Sequence, residues 1–525
     1  MIRVDGGPRG HARKVLVAAC AAASYANGCS SSLPPLGEAV IVLDTDVSVP
    51  RYVSDLRIDV FDAGGTWLDS RDVVTPSTLD WPVSFSVVDP SATDPATLWV
   101  RVRGYPEGHV RDYRGDHGDT TDSPEPADHG PRLVVEGVDV TPADEPEPGV
   151  SIDRFIRVDL VPGTRGSTVV TLRGECLGFR ADLATLRSCI DTAGTAVSPA
   201  AEALGPLTRS APALFGTWSG EQSVACNGAP TPGEVCIPGG AFFQGDMLAG
   251  GAGATRSQPE RARVMPPMFL SAHEVTVGEF RAALHAGLSA PALPVRNDQA
   301  LALPADAFTG AGVDPGVPTL CTWNGDASGP VASIPSREDM PLTCVPWATA
   351  RAYCRSLGGD LPREDAWEWA ATAQGRNTET LYPWGDDVPT NCDVTVFARY
   401  FYFAVQVNSV CATDASGAAL VGPATVGAAP WVASDASPAG VSGLAGNVAE
   451  LMVDSFVSYD DPLRARLGLR AELPIVAAPT QAALRGTGWE FGLSLAIGSA
   501  RNQIPLGDAS ETNPGIGFRC ARPAN

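Results

Sequence analysis

The chain has 525 residues, of which 37 are lysine or arginine and 60 are aspartate or glutamate, so its formal net charge is −23. This length predicts more than one folded domain, and the acidic excess argues against nucleic-acid binding, which needs basic side chains opposite phosphates. The 55 glycines and 46 prolines favour a loop-rich fold and exclude a soluble intracellular all-helical protein.

Residues 1–28 have the pattern of an export signal. Basic residues, including Lys14, precede an apolar, alanine-rich run over residues 15–26. The run ends at Asn-Gly-Cys and resembles a bacterial lipoprotein signal, in which Cys29 becomes the acylated first residue; Cys20 offers a competing site. Plain secretion and an uncleaved anchor are the alternatives. We expect an exported lipoprotein of the cell envelope, outer-membrane or periplasmic, that contacts the membrane only through its lipid anchor.

After a short tether, residues 29–37, the sequence predicts a β-domain over residues 38–190. Short segments rich in Val, Ile, Phe and Trp alternate with Gly, Pro and Asp turns. Their spacing predicts an antiparallel β-sandwich of immunoglobulin-like type. The acidic stretch 112–148 is interpreted as a solvated loop, and metal binding by its carboxylates and imidazoles is the alternative. The predicted strands cover residues 39–44, 56–62, 66–74, 83–88, 98–103, 155–161 and 167–172.

Residues 191–232 are predicted to be a linker between this domain and a second one over residues 233–525. The linker is poor in strand pattern and rich in Ala, Pro and Ser. Eight of the eleven tryptophans lie from Trp218 onward, which predicts that a second core begins there.

Ten of the twelve cysteines remain when Cys20 and Cys29 are set aside. An even number suggests disulfides in an exported chain, and free buried thiols are the alternative. Cys354 and Cys520 are left over when neighbours in the sequence are paired. The local pairs are Cys176 with Cys189, Cys226 with Cys236, Cys321 with Cys344, and Cys392 with Cys411.

The chain from Cys236 onward contains an ordered series of short motifs. Together they resemble the formylglycine-generating enzyme family, also called sulfatase-modifying factors. The resemblance implies a C-type-lectin-like α+β fold with little regular structure, and a disulfide between Cys354 and Cys520. The motifs are IPGGAFFQG (237–245), HEVTVGEF (273–280), AYC (352–354), LPREDAWE (361–368), YPWG (382–385), GLAGNVAE (443–450), RGTGW (485–489) and GFRCA (517–521).

Three short helices are predicted in this domain. Thr276 and Glu279 make a capping box that begins the first helix and directs Phe280 inward. Residues 347–357 form the second helix, which two glycines end. Residues 362–371 form the third.

The resemblance implies a copper centre that this sequence lacks. The family's oxidase holds copper through two cysteine thiolates, the soft ligands that select Cu(I). Here residues 485–501 read RGTGWEFGLSLAIGSAR and contain no cysteine. We therefore expect neither copper nor formylglycine-generating activity and assign no catalytic residue. His273 and His285 are too few for the iron-dependent sulfoxide synthases that form a second branch of the superfamily.

Calcium is the metal that the resemblance favours. Hard Ca²⁺ takes carboxylate and carbonyl oxygens, which the GLAGNVAE motif and the loop after YPWG would supply. Gly443 stands where the family has Asp or Asn, so one side-chain ligand is missing. The alternative is that Asn447 and Glu450 only hydrogen-bond a buried turn. The candidate ligands are Asn391, Gly446, Val448 and Glu450.

These expectations give one leading function and two alternatives. The leading hypothesis is an exported, lipid-anchored protein whose second domain lacks catalytic cysteines and binds an envelope protein, peptide or glycan. The first alternative is an oxidoreductase or other enzyme of the family with altered chemistry, using Glu490 or Arg501. The second is a purely structural envelope protein.

Overall fold

A computed structural model describes most of the chain. Its residues divide into two compact units, Met1–Ser219 and Gly220–Asn525, and none of the helices described could cross a bilayer. Cys20, Cys29, Asn391 and most of the acidic stretch lie outside the described residues. These are 2–4, 36–89, 94–106, 134–135, 138–139, 149–182, 185–245, 256–301, 320–326, 329–330, 336–389, 392–399, 411, 420–428, 431–465, 467–507 and 509–524.

The first unit consists mainly of strands. Short 3₁₀ turns lie at Thr78–Asp80 and Gly174–Cys176. The strands are β1 (Ile2–Val4), β2 (Glu38–Thr45), β3 (Asp55–Phe61), β4 (Trp67–Val74), β5 (Val83–Val88), β6 (Ala96–Tyr105), β7 (Val134–Val135), β8 (Val138–Asp139), β9 (Ile152–Leu160), β10 (Arg165–Leu172), β11 (Ser188–Cys189) and β12 (Ala196–Val197).

Two four-stranded sheets form this unit, with strand orders β1-β5-β2-β10 and β4-β3-β6-β9. All the predicted strands are present, as β2 to β6, β9 and β10. The prediction of a wholly antiparallel arrangement is wrong at one pair, because β2 and β10 run parallel. Strands joined by a hairpin must be antiparallel, but the turn before β10 connects it to β9 of the other sheet. The sheets contact each other, since a Cβ on Gly104 would lie 3.4 Å from Leu172.

Trp218 belongs to the first unit, so the prediction that it begins the second core is wrong. Its ring meets that of Tyr52 edge to face, with centroids 5.6 Å apart, and covers Gly174, where no side chain would fit. Its backbone N–H donates to Asp46 at 2.9 Å. The predicted linker thus includes residues that pack on the first unit, and the unit boundary falls after Ser219.

The second unit combines short strands and short helices in several small sheets. Further 3₁₀ turns lie at Leu493–Leu495 and Ala509–Thr512. The elements are β13 (Glu234–Ile237), β14 (Gly240–Gln244), β15 (Arg261–Met265), β16 (Met268–Ser271), α1 (Val277–His285), β17 (Gly325–Asp326), β18 (Gly329–Pro330), α2 (Trp347–Ser356), α3 (Glu364–Glu368), α4 (Trp431–Ser434), β19 (Ala449–Leu451), α5 (Pro462–Ala465), β20 (Gln481–Arg485), β21 (Arg501–Pro505), β22 (Ile516–Gly517) and β23 (Ala521–Pro523).

The three predicted helices are present as α1, α2 and α3. Thr276 and Glu279 form the expected capping box of α1, and Phe280 is fully buried. After α2 the chain turns at Gly358, whose φ of +82° is easily adopted only by glycine. α3 is shorter than predicted and continues as a π-helical turn, Trp369–Ala373.

Candidate functional site

A long loop connects β20 to β21, two strands that pair directly. Arg485 ends β20 and faces Arg501, which begins β21. Residues 486–500 therefore leave and re-enter the sheet at one end of this strand pair. The backbone N–H of Trp489 donates to the carbonyl of Asn447 at 2.9 Å, which attaches the loop to the GLAGNVAE segment.

Both arginines belong to a buried cluster of charges that holds α3 against the two strands. Arg485 donates to Glu368 at 2.6 Å and to Tyr459 at 2.7 Å. Arg501 donates twice to Glu364, at 2.5 and 2.8 Å. Burial would raise the pKa of Glu364, but the neighbouring arginines outweigh it and hold this pKa well below its usual range. Both arginines, both glutamates and the tyrosine are therefore bonded within the cluster, which supports the two ends of the loop between β20 and β21.

Glu490 is a buried acid whose carboxyl group forms no ion pair within the described residues. It lies against two glycines: a Cβ on Gly515 would be 1.8 Å from one carboxylate oxygen, and a Cβ on Gly488 would be 2.5 Å from the other. Its Oε2 accepts no hydrogen bond from the described residues. Burial raises the pKa of Glu490 to about 7, so this group can bind and release a proton near neutral pH.

A cavity of about 360 Å³ lies between β16, α1 and α2. It is separate from the loop, since residues 486–500 do not line it. Its wall includes the side chains of His273, Glu279 and Tyr353 and an ion pair between Glu234 and Arg522. Aromatic, acidic and hydrogen-bonding groups therefore meet at one concave surface.

Comparison with known proteins identifies the second unit. The model of the sulfatase-modifying factor enzyme 1-like domain matches residues 221–524, which is more than half of the chain. The chain belongs to this formylglycine-generating enzyme family. The match includes the motifs, the loop between β20 and β21 and the residues that line the cavity.

Among the relatives is the "Inactive C-alpha-formylglycine-generating enzyme 2" of Bos taurus, 39% identical over 64 residues, which are 12% of this chain and 21% of the relative. The formylglycine-generating enzyme of Streptomyces coelicolor is 30% identical over 182 residues, 32% of this chain and 55% of the relative. The chain thus spans about half or less of these curated relatives. The structure of PvdO from Pseudomonas aeruginosa is 19% identical and covers 56% of this chain and 100% of its own, with a TM-score of 0.37.

The copper centre of the family does not fit the cysteines that the structure describes. All the cysteines in the described residues are joined in disulfides, and the pairs match those expected from the sequence. A sulfur atom in a disulfide is not a thiolate and cannot serve as the soft ligand of Cu(I). The bonds join Cys176–Cys189, Cys226–Cys236, Cys321–Cys344, Cys354–Cys520 and Cys392–Cys411.

Of the predicted calcium ligands, Glu450 and Gly446 already have hydrogen-bond partners within the protein, and Asn391 lies outside the described residues. Both carboxylate oxygens of Glu450 accept hydrogen bonds from Arg519, at 2.6 to 2.8 Å. The carbonyl of Gly446 accepts from the N–H of Val448 at 2.9 Å. An arginine in direct contact repels a cation, and the described residues hold no group of three or more His, Cys, Asp or Glu side chains suited to a metal. The hydrogen-bonded turn, the other interpretation of Glu450, agrees with this geometry.

Sequence reasoning missed two buried acids beside this turn. Glu274 occupies the space of the side chain that Gly443 lacks, since a Cβ there would lie 2.5 Å from its Oε1, and Asn447 donates to that oxygen at 3.0 Å. Asp435 accepts from Thr395 at 2.5 Å. Burial raises the pKa of Glu274 to about 7 and that of Asp435 to about 8. In the sequence, the glycine at position 443, where the family has Asp or Asn, was the one indication that another acid fills this space.

Proposed function

We propose that the second unit is a non-catalytic formylglycine-generating-enzyme-like module that binds a protein, peptide or glycan. One observation carries the proposal: every cysteine between residues 233 and 525 is in a disulfide, while the family's series of motifs is present in order, with a departure at Gly443. The oxidase chemistry therefore lacks its thiolates in a domain that still folds. A relative whose name includes the word inactive supports this proposal.

The test is a direct assay of the family's reaction. The purified chain is incubated with copper, oxygen and a cysteine-containing sulfatase peptide, and the peptide is analysed by mass spectrometry. The formylglycine-generating enzyme of Streptomyces coelicolor is the positive control. We expect the cysteine to remain unmodified, and conversion to the aldehyde above the enzyme-free blank would overturn the proposal.

The proposal places this module in the cell envelope, anchored by a lipid on Cys29. The five disulfides are consistent with export, because such bonds persist in oxidising compartments. Residues 38–190 would then form an immunoglobulin-like spacer that carries the module away from the membrane. We expect Cys29→Ser to shift the protein from the detergent phase to the aqueous phase in a cloud-point partition, and Cys20→Ser to leave it in the detergent phase. The reverse result would assign the lipid to Cys20.

A second candidate function is an enzyme with altered chemistry in the loop between β20 and β21. Glu490 favours it, because a buried acid with a pKa of about 7 is suited to general acid–base work. Arg501 favours it less, since its guanidinium is engaged by Glu364. Turnover of a substrate that is abolished by Glu490→Gln, in a folded variant, would establish this candidate in place of the binding module.

A further inference from the structure

We propose that the cavity between β16, α1 and α2 binds a protonated primary amine, such as the side chain of a lysine on a peptide or protein partner. The inference rests on the binding function proposed above and adds the chemical class of the bound group. The volume of about 360 Å³ lies within the range of small-ligand sites. A lysine side chain would fit with its ammonium group among the polar side chains of the wall.

Three side chains of the wall present hydrogen-bond acceptors. Glu279 uses Oε2 to accept from Thr276 in the capping box, and its Oε1 has no partner among the described residues. His273 Nδ1 donates to the carbonyl of Glu274 at 2.9 Å, and the tautomer with this hydrogen bond has its acceptor at Nε2. The phenol oxygen of Tyr353 is the third. A primary ammonium group has three N–H donors and no acceptor, so a wall that offers acceptors suits it.

The charges of the wall also favour a cation. Arg522 is already neutralised by Glu234, which it contacts through three hydrogen bonds of 2.7 to 3.0 Å. Glu279 lies at the exposed rim of the cavity and forms no ion pair with the described residues, so its negative charge is available to a ligand. Burial, with the nearby charge of Glu279, raises the pKa of Tyr353 and keeps its phenol neutral. At longer range, the net charge of −23 attracts basic partners.

The cavity is formed before any ligand arrives. The Cys354–Cys520 disulfide lines it and joins α2 to the chain just before β23. The ring of Tyr353 packs against Phe280 and Phe518, with centroids 5.9 and 5.7 Å apart. Because these groups are held in place, binding needs little ordering of the wall, which favours affinity.

The test uses the tripeptide N-acetyl-Gly-Lys-Gly-amide and the same peptide acetylated on its lysine. Acetylation removes the charge and two of the donors. Each is titrated into the full-length protein and followed by ligand-observed NMR. We expect the unmodified peptide to bind about tenfold more tightly, as for a charge-assisted hydrogen bond. Equal binding of both peptides, or binding of neither, would overturn the proposal.

Glu279→Gln removes the unpaired charge and keeps the capping box, because glutamine also serves at this position. We expect it to weaken binding of the lysine peptide about tenfold. Asp387→Asn, at an exposed site that does not line the cavity and forms no ion pair with the described residues, is the matched control and should bind as the wild type does. Unchanged binding by the Glu279 variant would refute the assignment.

The amine titration tests the cavity, and the aldehyde assay tests the proposed function, so a negative result for one hypothesis does not decide the other. Absent amine binding together with an unmodified cysteine peptide removes only the amine site and leaves the non-catalytic module standing. Aldehyde formation removes the proposed function, whatever the cavity binds.

Discussion

Replacing Glu490 with glutamine tests whether this carboxyl group stays protonated in the folded domain near neutral pH. Burial raises its pKa from 4.5 to about 7, whereas the unfolded chain restores the ordinary value. At a pH between 4.5 and about 7, this carboxyl group has released its proton in the unfolded state and kept it in the folded state. The free energy of unfolding therefore falls as the pH rises. Each pH unit is worth about 1.4 kcal/mol, so this group should remove about 3 kcal/mol over the whole interval.

Glu490→Gln has nearly the shape of the neutral acid and cannot ionise. The wild type and the variant are unfolded with urea between about pH 5 and about pH 8, and tryptophan fluorescence gives the free energy of unfolding. Glu274 and Asp435, whose pKa values are also raised, affect both proteins alike and cancel in the difference. We expect the difference to move in favour of the variant by about 3 kcal/mol from the lower pH to the higher one.

Asp387→Asn serves as the control, because its side chain is exposed and forms no ion pair with the described residues. It should leave the pH dependence of the wild type unchanged. A difference in stability between wild type and Glu490→Gln that is the same at every pH would show that Glu490 is ionised in the folded domain. It would mean that water or another group stabilises the ionised carboxylate in the folded protein.

Three further outcomes are expected. Replacing both cysteines of a disulfide with serine should lower the free energy of unfolding by about 5 kcal/mol at Cys354–Cys520 and by about 3 kcal/mol at Cys226–Cys236. The losses differ because the two bonds close loops of different length, with sequence separations of 166 and 10. Equal losses in urea unfolding would contradict this. Trp218→Ala should speed hydrogen exchange in β2 and β3 but not in β20, as its ring packs on the first unit; faster exchange in β20 alone, by mass spectrometry, would refute that placement. EDTA should leave Tm unchanged, since Arg519 occupies Glu450; a fall that calcium reverses would reveal a calcium site.

Much of the secondary structure could be predicted because its causes are local. The strands of the first unit follow from alternation of apolar and polar residues, and α1 begins where Thr276 and Glu279 can cap each other. The pairing of β2 with β10 and the place of Trp218 could not be predicted in this way. Both depend on segments that are far apart in the sequence and meet only when the sheets form.

The candidate site was predictable only in part. The motif series located the domain and the loop between β20 and β21. The cavity between β16, α1 and α2 was not foreseen, because its wall combines three elements with the chain end near Arg522. No short stretch of sequence contains enough of these groups to indicate a pocket.

Residues 486–500 contain no cysteine, so the absence of a thiolate from this loop follows from the sequence, because folding cannot create a side chain that the loop does not contain. Which acids remain available for chemistry depends instead on contacts made in the folded domain. Glu450 is paired with Arg519, 69 residues away, whereas Glu490 lies between two glycines without an ionic partner in the described chain. The charge state of a buried carboxyl group depends on neighbours within a few ångströms, and distant parts of the chain supply them.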